Sequence, residues 1–287
     1  MVNGVLNIDK PENITSHDVV NRIRKVSGQK RVGHAGTLDP FATGVLVVGL
    51  GSATRLLDYV HDLSKTYVAT FMLGAISDTD DRTGTIQPQT DTVPTKQAVT
   101  EALQSFVGTI QQIPPAYSAV KVQGKKMYEL ARSGVAAIVQ PREVIIHNIQ
   151  VRGYEYPKLD VEITCAAGTY IRAIARDLGQ KIGIGAYVDT LRRTTIGDFS
   201  VEGAASLDNI TADTITQYLL PPALLIPHLP QVILNEVEAK DFKHGKRVPM
   251  NDPSSVGPIA VFTKEKTLLG IGSYISTEQM LQPDKVI

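Results

Sequence analysis

A loop from Gly33 to Gly44 places one carboxylate among small and rigid residues. The acid is Asp39, and Pro40 follows it directly. Glycines allow close approach of the backbone, and a proline biases the residue before it towards an extended conformation. Asp39 is therefore well placed to act in catalysis, although an ordinary turn in which it bonds its own backbone explains the pattern as well. A phosphate-binding loop is a weaker interpretation, because the Lys-Ser/Thr ending is missing.

Three further carboxylates lie within four positions, from Asp78 to Asp81, shortly before Gly84. Their clustering raises the possibility of a metal site. However, Arg82 occupies a ligand position of the calcium-loop pattern, and the closing Glu is absent. The six histidines contain no HExxH pair, so they give no zinc signature. The sequence predicts a polar turn at this point and no metal ion.

Basic and aromatic residues form two groups that suit an RNA partner. Positions 19–38 contain five lysines and arginines and no acid, and Tyr170 lies two residues before Arg172. A tyrosine can stack on a base, and a guanidinium can pair with a carboxylate or a phosphate. The alternatives are a solvated helix face for the charges and a buried tyrosine beside a surface arginine.

The composition bounds the class of protein. With 29 Lys+Arg and 29 Asp+Glu in 287 residues, the formal net charge is zero, so bulk charge gives no attraction to nucleic acid. Hydrophobic residues make up 43%, which supports a real core and excludes disordered and fibrous classes. The single cysteine, Cys165, favours a reducing compartment, and no signal peptide or membrane span is evident. We therefore expect a cytoplasmic protein without a membrane partner.

Strands and helices alternate irregularly along the chain. The hydrophobic pattern predicts strands at 5–8, 44–50, 67–73, 143–151, 159–165 and 197–201. It predicts helices at 95–108, at 170–182, and from a cap at Thr15 or Ser16 to Gly28. Because there is no strict strand–helix–strand rhythm, these elements predict a mixed α+β sheet.

Two regions differ in amino-acid composition from this core. Residues 113–142 are rich in Pro, Gly, Lys and Arg, with a short helical piece around 128–132. This composition predicts a long segment that leaves the core of the domain. Four prolines between positions 221 and 230 predict a domain boundary. We therefore expect a main domain at 1–230 and a small β-rich module at 231–287 that docks on it.

Six short motifs occur along the chain in one order: Gly33-His-Ala-Gly-Thr-Leu-Asp-Pro40, Lys65-Thr-Tyr67, Gly74 to Gly84, Pro114-Pro-Ala-Tyr-Ser-Ala-Val-Lys121, Gly168-Thr-Tyr-Ile-Arg172 and Leu191-Arg-Arg193. This series resembles the TruB family of tRNA pseudouridine-55 synthases over nearly the whole length. The short C-terminal segment resembles the stand-alone bacterial branch. One departure is Asn13, where the family usually has Gly; Asn is the non-glycine residue that best tolerates left-handed geometry.

The resemblance implies a fold and a reaction. The fold is a mixed, largely antiparallel sheet of pseudouridine-synthase type with flanking helices, a thumb insertion at about 113–142 and a PUA-like C-terminal RNA-binding module. The reaction is isomerisation of uridine 55 in the T loop of tRNA, in which the N1–C1′ bond is cleaved and the base rejoins through C5. The implied enzyme uses no cofactor or metal, binds the T arm without a guide RNA, and is expected to be a monomer.

The resemblance also assigns roles to residues. Asp39 matches the catalytic aspartate, which attacks the ribose or the base or takes the 2′ proton. Arg172 matches the arginine that pairs with this aspartate and would keep it ionised, and Tyr67 matches the tyrosine that stacks on the target base. The gap left by the flipped base would be filled by a histidine. The substrate-binding positions are that histidine, the pocket residues and three basic residues: His34, Tyr170, Leu191, Lys10, Arg31 and Lys121.

An RNA-binding protein that folds the T arm of tRNA without chemistry is the alternative. It would use the same basic surface and the same thumb. The combination of Asp39, Tyr67 and Arg172 argues against it, since binding alone needs no ionised carboxylate facing an anionic ligand.

Overall fold

The computed structural model describes residues 2–90, 92–118, 121–122, 125–127, 140–250 and 257–287. The predicted helical piece at 128–132 lies outside these ranges. The helices are α1 Ser16–Ser27, α2 Leu57–His61, α3 Lys96–Gln104, α4 Ile171–Lys181 and α5 Glu236–Lys243. The strands are β1 Gly4–Lys10, β2 Val32–Ala35, β3 Thr43–Leu50, β4 Lys65–Leu73, β5 Ala75–Ser77, β6 Ile86–Pro88, β7 Gly108–Gln112, β8 Lys121–Val122, β9 Lys125–Lys126, β10 Arg142–Glu155, β11 Lys158–Cys165, β12 Ala186–Ile196, β13 Phe199–Ser200, β14 Ala205–Ser206, β15 Gln231–Leu234, β16 Val248–Pro249, β17 Pro258–Thr263, β18 Leu268–Ile275 and β19 Met280–Val286.

A ten-stranded sheet forms the centre of the described structure. Its order is β14-β1-β3-β12-β4-β11-β10-β7, with β2 paired to β3 and β13 paired to β12. The β1/β14 and β12/β3 pairs are parallel, and the other pairs are antiparallel. The prediction of a mixed, largely antiparallel α+β sheet with flanking helices is confirmed.

Local sequence signals explain several of these elements. Thr15 caps α1 in a capping box with Asp18, and Gly28 ends the helix with φ 64. Thr95 caps α3 through one bond, with its side chain accepting from the Ala98 amide. In β4, buried and half-buried residues alternate along the whole strand, as expected when one face lies on a core. The predicted positions of these elements are confirmed to within a few residues.

Strand β12 lies in the middle of the sheet, between β3 and β4, and the sequence pattern did not predict it. Polar side chains at Asp189, Arg192 and Arg193 interrupt its apolar residues, so periodicity alone gives no strand signal. The structure nevertheless buries Arg193, because β3 and the loop after β2 supply carbonyl acceptors for its guanidinium. Strands β2, β7 and β19 were also missed, since each is short or mixed in polarity.

The helices cover the sheet with apolar residues. Val19, Val20 and Ile23 of α1 pack on the part of the sheet that includes Leu6 and Leu46. The α4 helix packs near β12 through a second cluster, to which it contributes Ile174 and Leu178. These two packing arrangements hold the ends of α1 and α4 beside the loop that carries Asp39.

The last part of the chain forms a five-stranded sheet in the order β15-β17-β18-β19-β16, with α5 packed on it. Phe262 and Ile271 of this sheet share an apolar cluster with Val45 of β3 and with Leu225. The guanidinium of Arg55 also donates to the Val286 carbonyl at 2.6 Å. The β-rich C-terminal part is therefore confirmed, whereas the boundary after residue 230 stays a prediction. Across the described ranges, no helix combines the length and apolar character needed to span a membrane.

Candidate active site

A cleft of about 300 Å³ lies where the loop after β2, strands β4 and β12, and the start of α4 meet. Asp39, Tyr67, Tyr170, Arg172 and Leu191, which were predicted from separate parts of the chain, all line it. The other residues of its wall are Gly36, Thr37, Leu38, His61, Lys65, Ser118, Gly168, Thr169, Ile171 and Arg193. A cavity of this size with convergent polar groups is the kind of site that binds a small ring.

Asp39 and Arg172 form a two-pronged ion pair in this cleft. The Nε atom of Arg172 lies 2.9 Å from Oδ2 of Asp39, and its Nη2 donates to Oδ1 at 3.1 Å. Ser16 steadies the loop beside the acid, since its hydroxyl donates to the Leu38 carbonyl and accepts from the Leu38 amide. The carboxylate is therefore held in one orientation with about a third of its side chain exposed to the cleft (34%).

Arg172 is fixed from behind by the polar turn that follows β5. Its Nη1 donates to the Thr79 carbonyl at 3.0 Å and to Oδ2 of Asp81 at 3.3 Å. Asp81 is itself buried and accepts from the hydroxyl groups of Thr79 and Thr83. The neighbouring Asp80 pairs with Arg176, one turn further along α4, at 3.0 Å. Two of the three carboxylates that invited a metal interpretation, Asp80 and Asp81, thus hold the two arginines of α4.

Burial and the ion pair act on Asp39 in opposite directions. Desolvation by the cleft walls raises the pKa of Asp39 above its ordinary value, and the nearby Arg172 lowers it. The pKa of Asp39 is raised overall, because desolvation is the larger effect. The sequence-based expectation that Arg172 favours the ionised form is correct for that pair alone, but it omitted the desolvation.

Tyr67, Leu191 and Tyr170 form the walls around the ion pair. Tyr67 and Leu191 are nearly buried, and they project from the adjacent strands β4 and β12. Tyr170 is half-buried and is held by Gln112, whose side-chain amide donates to the Tyr170 carbonyl at 3.0 Å and accepts from its amide at 2.8 Å. Burial raises the pKa of Tyr67, so its phenol is the protonated form near neutral pH.

Lys10 was predicted to bind substrate, and in the structure its ammonium bonds to backbone groups of the protein itself. Its side chain is fully buried (0% exposed), and its ammonium donates to the carbonyls of Pro11, Ile14 and Pro40 at 2.8, 2.8 and 3.2 Å. Burial lowers the pKa of Lys10 to about 8. The turn before α1 keeps its shape with Asn13 at φ 65, as predicted. Lys10 therefore ties this turn to the residue next to Asp39 and offers no exposed donor to RNA.

We expect Lys10→Met to destabilise the fold by about 1–3 kcal/mol, because it leaves buried carbonyl acceptors without a donor. The affinity for RNA should not change. Urea denaturation and a filter-binding titration measure the two quantities. Lys30→Met, at an exposed lysine, is the matched control and should leave the stability unchanged. A loss of RNA affinity in Lys10→Met with unaltered stability would instead support the predicted contact of Lys10 with the substrate.

His34 lies on β2 beside the cleft rather than in its wall. Its ring is half-buried, and Nδ1 has no hydrogen-bond partner among the described residues. Burial lowers the pKa of His34 to about 4, and the charges of His61 and Arg193 lower it further. The imidazole is therefore neutral at physiological pH, which suits stacking on a base better than pairing with a phosphate.

This depressed pKa has a measurable consequence for stability. Between about pH 6.5 and about pH 4 the unfolded chain binds a proton at His34 that the folded chain does not, so the free energy of unfolding should fall as the pH falls. Denaturant titrations of the protein and of His34→Gln across this range measure the contribution. The variant should show a weaker pH dependence there, and equal slopes would contradict the assignment.

Arg31 and Lys121 are the two remaining basic residues that were predicted to bind substrate. Arg31 is exposed at the start of β2, and its Nε donates to the Thr54 hydroxyl at 3.0 Å. Lys121 belongs to the two-residue strand β8, which pairs with β9, and its side chain lies outside the described part of the chain. Their binding to substrate stays a prediction.

Sequence reasoning missed several residues that shape the site. Asp81 was considered as a metal ligand and as part of a polar turn, but not as a partner of Arg172, and Gln112 was not considered. Arg193 was quoted within a motif without a role, although it lines the cleft and is buried. A signal for each existed in the motifs or beside them, but its meaning depends on partners that are distant in sequence.

Comparison with protein-family models shows which family the chain belongs to. A model for the TruB family pseudouridylate synthase N-terminal domain matches residues 24–171, which is more than half of the chain. The chain belongs to the TruB family. Models for the tRNA pseudouridylate synthase B C-terminal domain and for the pseudouridine synthase II TruB C-terminal region match residues 172–224 and 230–287.

Relatives in the TruB family are similar over nearly the whole length. The tRNA pseudouridine synthase B of Thermobifida fusca is 41% identical over 280 residues, covering 94% of both chains. That of Synechocystis sp. is 42% identical over 271 residues, covering 89% of this chain and 91% of the other.

Solved structures show the same architecture. A chain in an H/ACA RNP bound to a substrate RNA containing 2′-deoxyuridine has a TM-score of 0.75 and 25% identity, covering 99% of this chain and 84% of that chain. A chain in a Cbf5-Nop10-Gar1 complex has a TM-score of 0.74 and 27% identity, with the same coverage. The fold is therefore that of TruB-type pseudouridine synthases.

Proposed function

We propose that this protein is a tRNA pseudouridine synthase that isomerises uridine 55 in the T loop. The observation that supports this most directly is the Asp39–Arg172 ion pair, at 2.9 and 3.1 Å, on the wall of a cleft that also contains Tyr67. Relatives named tRNA pseudouridine synthase B match nearly the full chain, which supports tRNA as the substrate.

The cleft residues have separate roles in the proposed reaction. Asp39 provides the carboxylate that attacks the sugar or base or accepts the 2′ proton, a chemistry with precedent at glycosidic carbons. Arg172 holds this carboxylate in line, and it is itself held by Asp81 and by backbone carbonyls. Tyr67 and Leu191 line the cleft, and in the proposed complex Tyr67 stacks on the base while Leu191 closes the apolar side. The base then rejoins the ribose through C5, the C5 proton is released, and N1 takes up a proton.

A uridine inside a folded T loop must leave its stack to reach this cleft. Extrusion of one nucleotide costs a few kcal/mol, and a protein group that fills the gap offsets part of this cost. The neutral ring of His34, on the strand beside the cleft, suits this role. The thumb at 113–142 begins directly after Gln112, and the carbonyl of Tyr117 within it accepts from Arg172 at 2.9 Å. Closure of the thumb on RNA would therefore act close to the ion pair.

Release of tritium to water from a T-arm stem-loop labelled at uridine C5 tests the proposal. We expect stoichiometric release by the protein alone, without a guide RNA. A protein that folds the T arm without chemistry would bind this RNA and release nothing. The same result would overturn the proposed function.

The remaining expectations belong to the same proposal. We propose that the enzyme acts as a monomer in the cytoplasm and that residues 231–287 form an RNA-contacting module. Size-exclusion chromatography with light scattering, with and without a T-arm RNA, measures the oligomeric state. A dimer in the active complex would contradict this part of the proposal.

A further inference from the structure

Arg193 is a buried cation of the cleft wall that the proposed mechanism has not used. It is almost fully enclosed (1% exposed), and its Nε and Nη2 donate to the carbonyls of Val45 and Gly36 at 2.8 and 2.7 Å. No carboxylate lies within 4 Å of its guanidinium among the described residues. A buried charge without a counter-ion is costly, so its retention at this place needs a physical reason.

The position of Arg193 joins the two sides of the cleft. On one side it holds Gly36, which adopts φ 71 three residues before Asp39. On the other side it lies directly opposite Tyr67 in the β12/β4 pair, a register that brings cross-strand side chains into contact. At the β3 side, a Cβ on Gly44 would lie 2.1 Å from the Arg193 carbonyl, so only glycine permits this approach.

The charge of Arg193 acts on several groups around the cleft. Burial is the main cause of the lowered pKa values of Lys10, Lys65 and His34, and Arg193 lowers each of them further. Burial raises the pKa of Tyr67, and Arg193 opposes this rise. The guanidinium therefore makes the cleft favour negative charge.

We propose that Arg193 is a positioning residue that fixes the Asp39 loop against Tyr67 and supplies the uncompensated positive charge facing the uracil ring. This inference rests on the proposed function. When the N1–C1′ bond breaks, its electron pair stays on the base at N1 and spreads onto O2 and O4. A fixed positive charge in a desolvated cleft stabilises this anionic ring until C5 attacks C1′. The C5 proton then leaves, and N1 takes up a proton. Addition of Asp39 to the base would also place negative charge on the ring.

The neighbouring Arg192 offers a matched control. It lies on the same strand with its side chain half-exposed, and it pairs with Asp9 at 2.7 Å rather than lining the cleft. We would compare Arg193→Gln and Arg193→Lys with Arg192→Gln and Arg192→Lys. The substrates are T-arm stem-loops carrying uridine or 5-fluorouridine at the target position, because fluorine withdraws electrons from the ring and stabilises its anion without help from the protein.

For uridine, we expect Arg193→Gln to lower the single-turnover rate of N-glycoside loss about 100-fold, the scale reported for loss of one charge-stabilising donor, with little change in RNA affinity. The loss on 5-fluorouridine should be clearly smaller. Arg193→Lys keeps the charge and loses the planar fork, so it should recover part of the rate. The ratio of its rates on uridine and 5-fluorouridine should equal that of the wild type. Both Arg192 variants should retain nearly the full rate.

A second readout reports on the charge independently of turnover. In protein labelled with 3-fluorotyrosine, the ¹⁹F signal of Tyr67, assigned with Tyr67→Phe, should titrate at a higher pH in Arg193→Gln than in wild type, and near wild type in Arg193→Lys. Equal losses on both substrates with an unchanged Tyr67 titration would reduce Arg193 to a structural residue and overturn the inference. If Arg193→Gln does not fold, Arg193→Lys provides the test. A ratio of its rates on uridine and 5-fluorouridine that departs from the wild-type ratio would also overturn the inference. Failure of the wild-type protein to convert uridine would instead overturn the proposed function.

Discussion

Asp39→Asn should abolish tritium release from a C5-labelled T arm, with a fall in rate of at least about 10⁴-fold, the scale on which loss of a nucleophile or its partner reduces kcat. The amide keeps the size of the side chain and can still accept from Arg172, but it is a poor nucleophile and base. Binding of RNA should persist, because the cleft walls and the basic surface are unchanged. Single-turnover kinetics and a filter-binding titration on one preparation measure both quantities.

Asp9→Asn is the matched control for this variant. Asp9 is a carboxylate that also pairs with an arginine, Arg192, at 2.7 Å, but it does not line the cleft. We expect it to leave the rate of tritium release nearly unchanged. If release persisted in Asp39→Asn, the assignment of the catalytic carboxylate would be wrong. If Asp39→Asn bound no RNA, its loss of activity would reflect lost binding rather than lost chemistry.

Arg172→Lys should reduce the rate about 100-fold or more, because a lysine cannot reproduce the fork that holds Asp39 while bonding to three other groups. It should also shift the pH profile. Burial raises the pKa of Asp39 and Arg172 opposes that rise, so weakening the pair moves the pKa further upward. Since the reaction needs the carboxylate, the acid limb of the rate profile should move to higher pH. Single-turnover rates across the acid range measure this shift.

Arg176→Lys provides a control on the same helix. Arg176 lies one turn beyond Arg172 and pairs with Asp80 at 3.0 Å, while its Nη2 donates to the Ile113 carbonyl at 2.8 Å. It makes no contact with Asp39, so its replacement should leave the acid limb in place. An acid limb that did not move in Arg172→Lys would show that another group limits the rate at low pH.

Much of the fold could be predicted from local pattern. The cap at Thr15, the stop at Gly28 and the alternation in β4 all follow from neighbours in sequence, and the structure confirms them. Strand β12 could not be predicted in this way, because its polar residues acquire partners only when β3 and β4 flank it. The segment Asp78–Gly84 was correctly predicted as a polar turn, but the partners of Asp80 and Asp81 could not be predicted, since these arginines lie more than ninety positions away.

The sequence by itself determined the family, through motifs whose order and residue types resemble TruB enzymes, and it singled out Asp39 as the acid. Tertiary structure decided what each charged group does there. It buried Lys10 against carbonyls, placed Arg172 between Asp39 and Asp81, and left Arg193 without a carboxylate partner in the described part of the chain. The reason is physical: backbone conformation depends largely on near neighbours, whereas desolvation and charge pairing depend on which distant segments enclose a side chain.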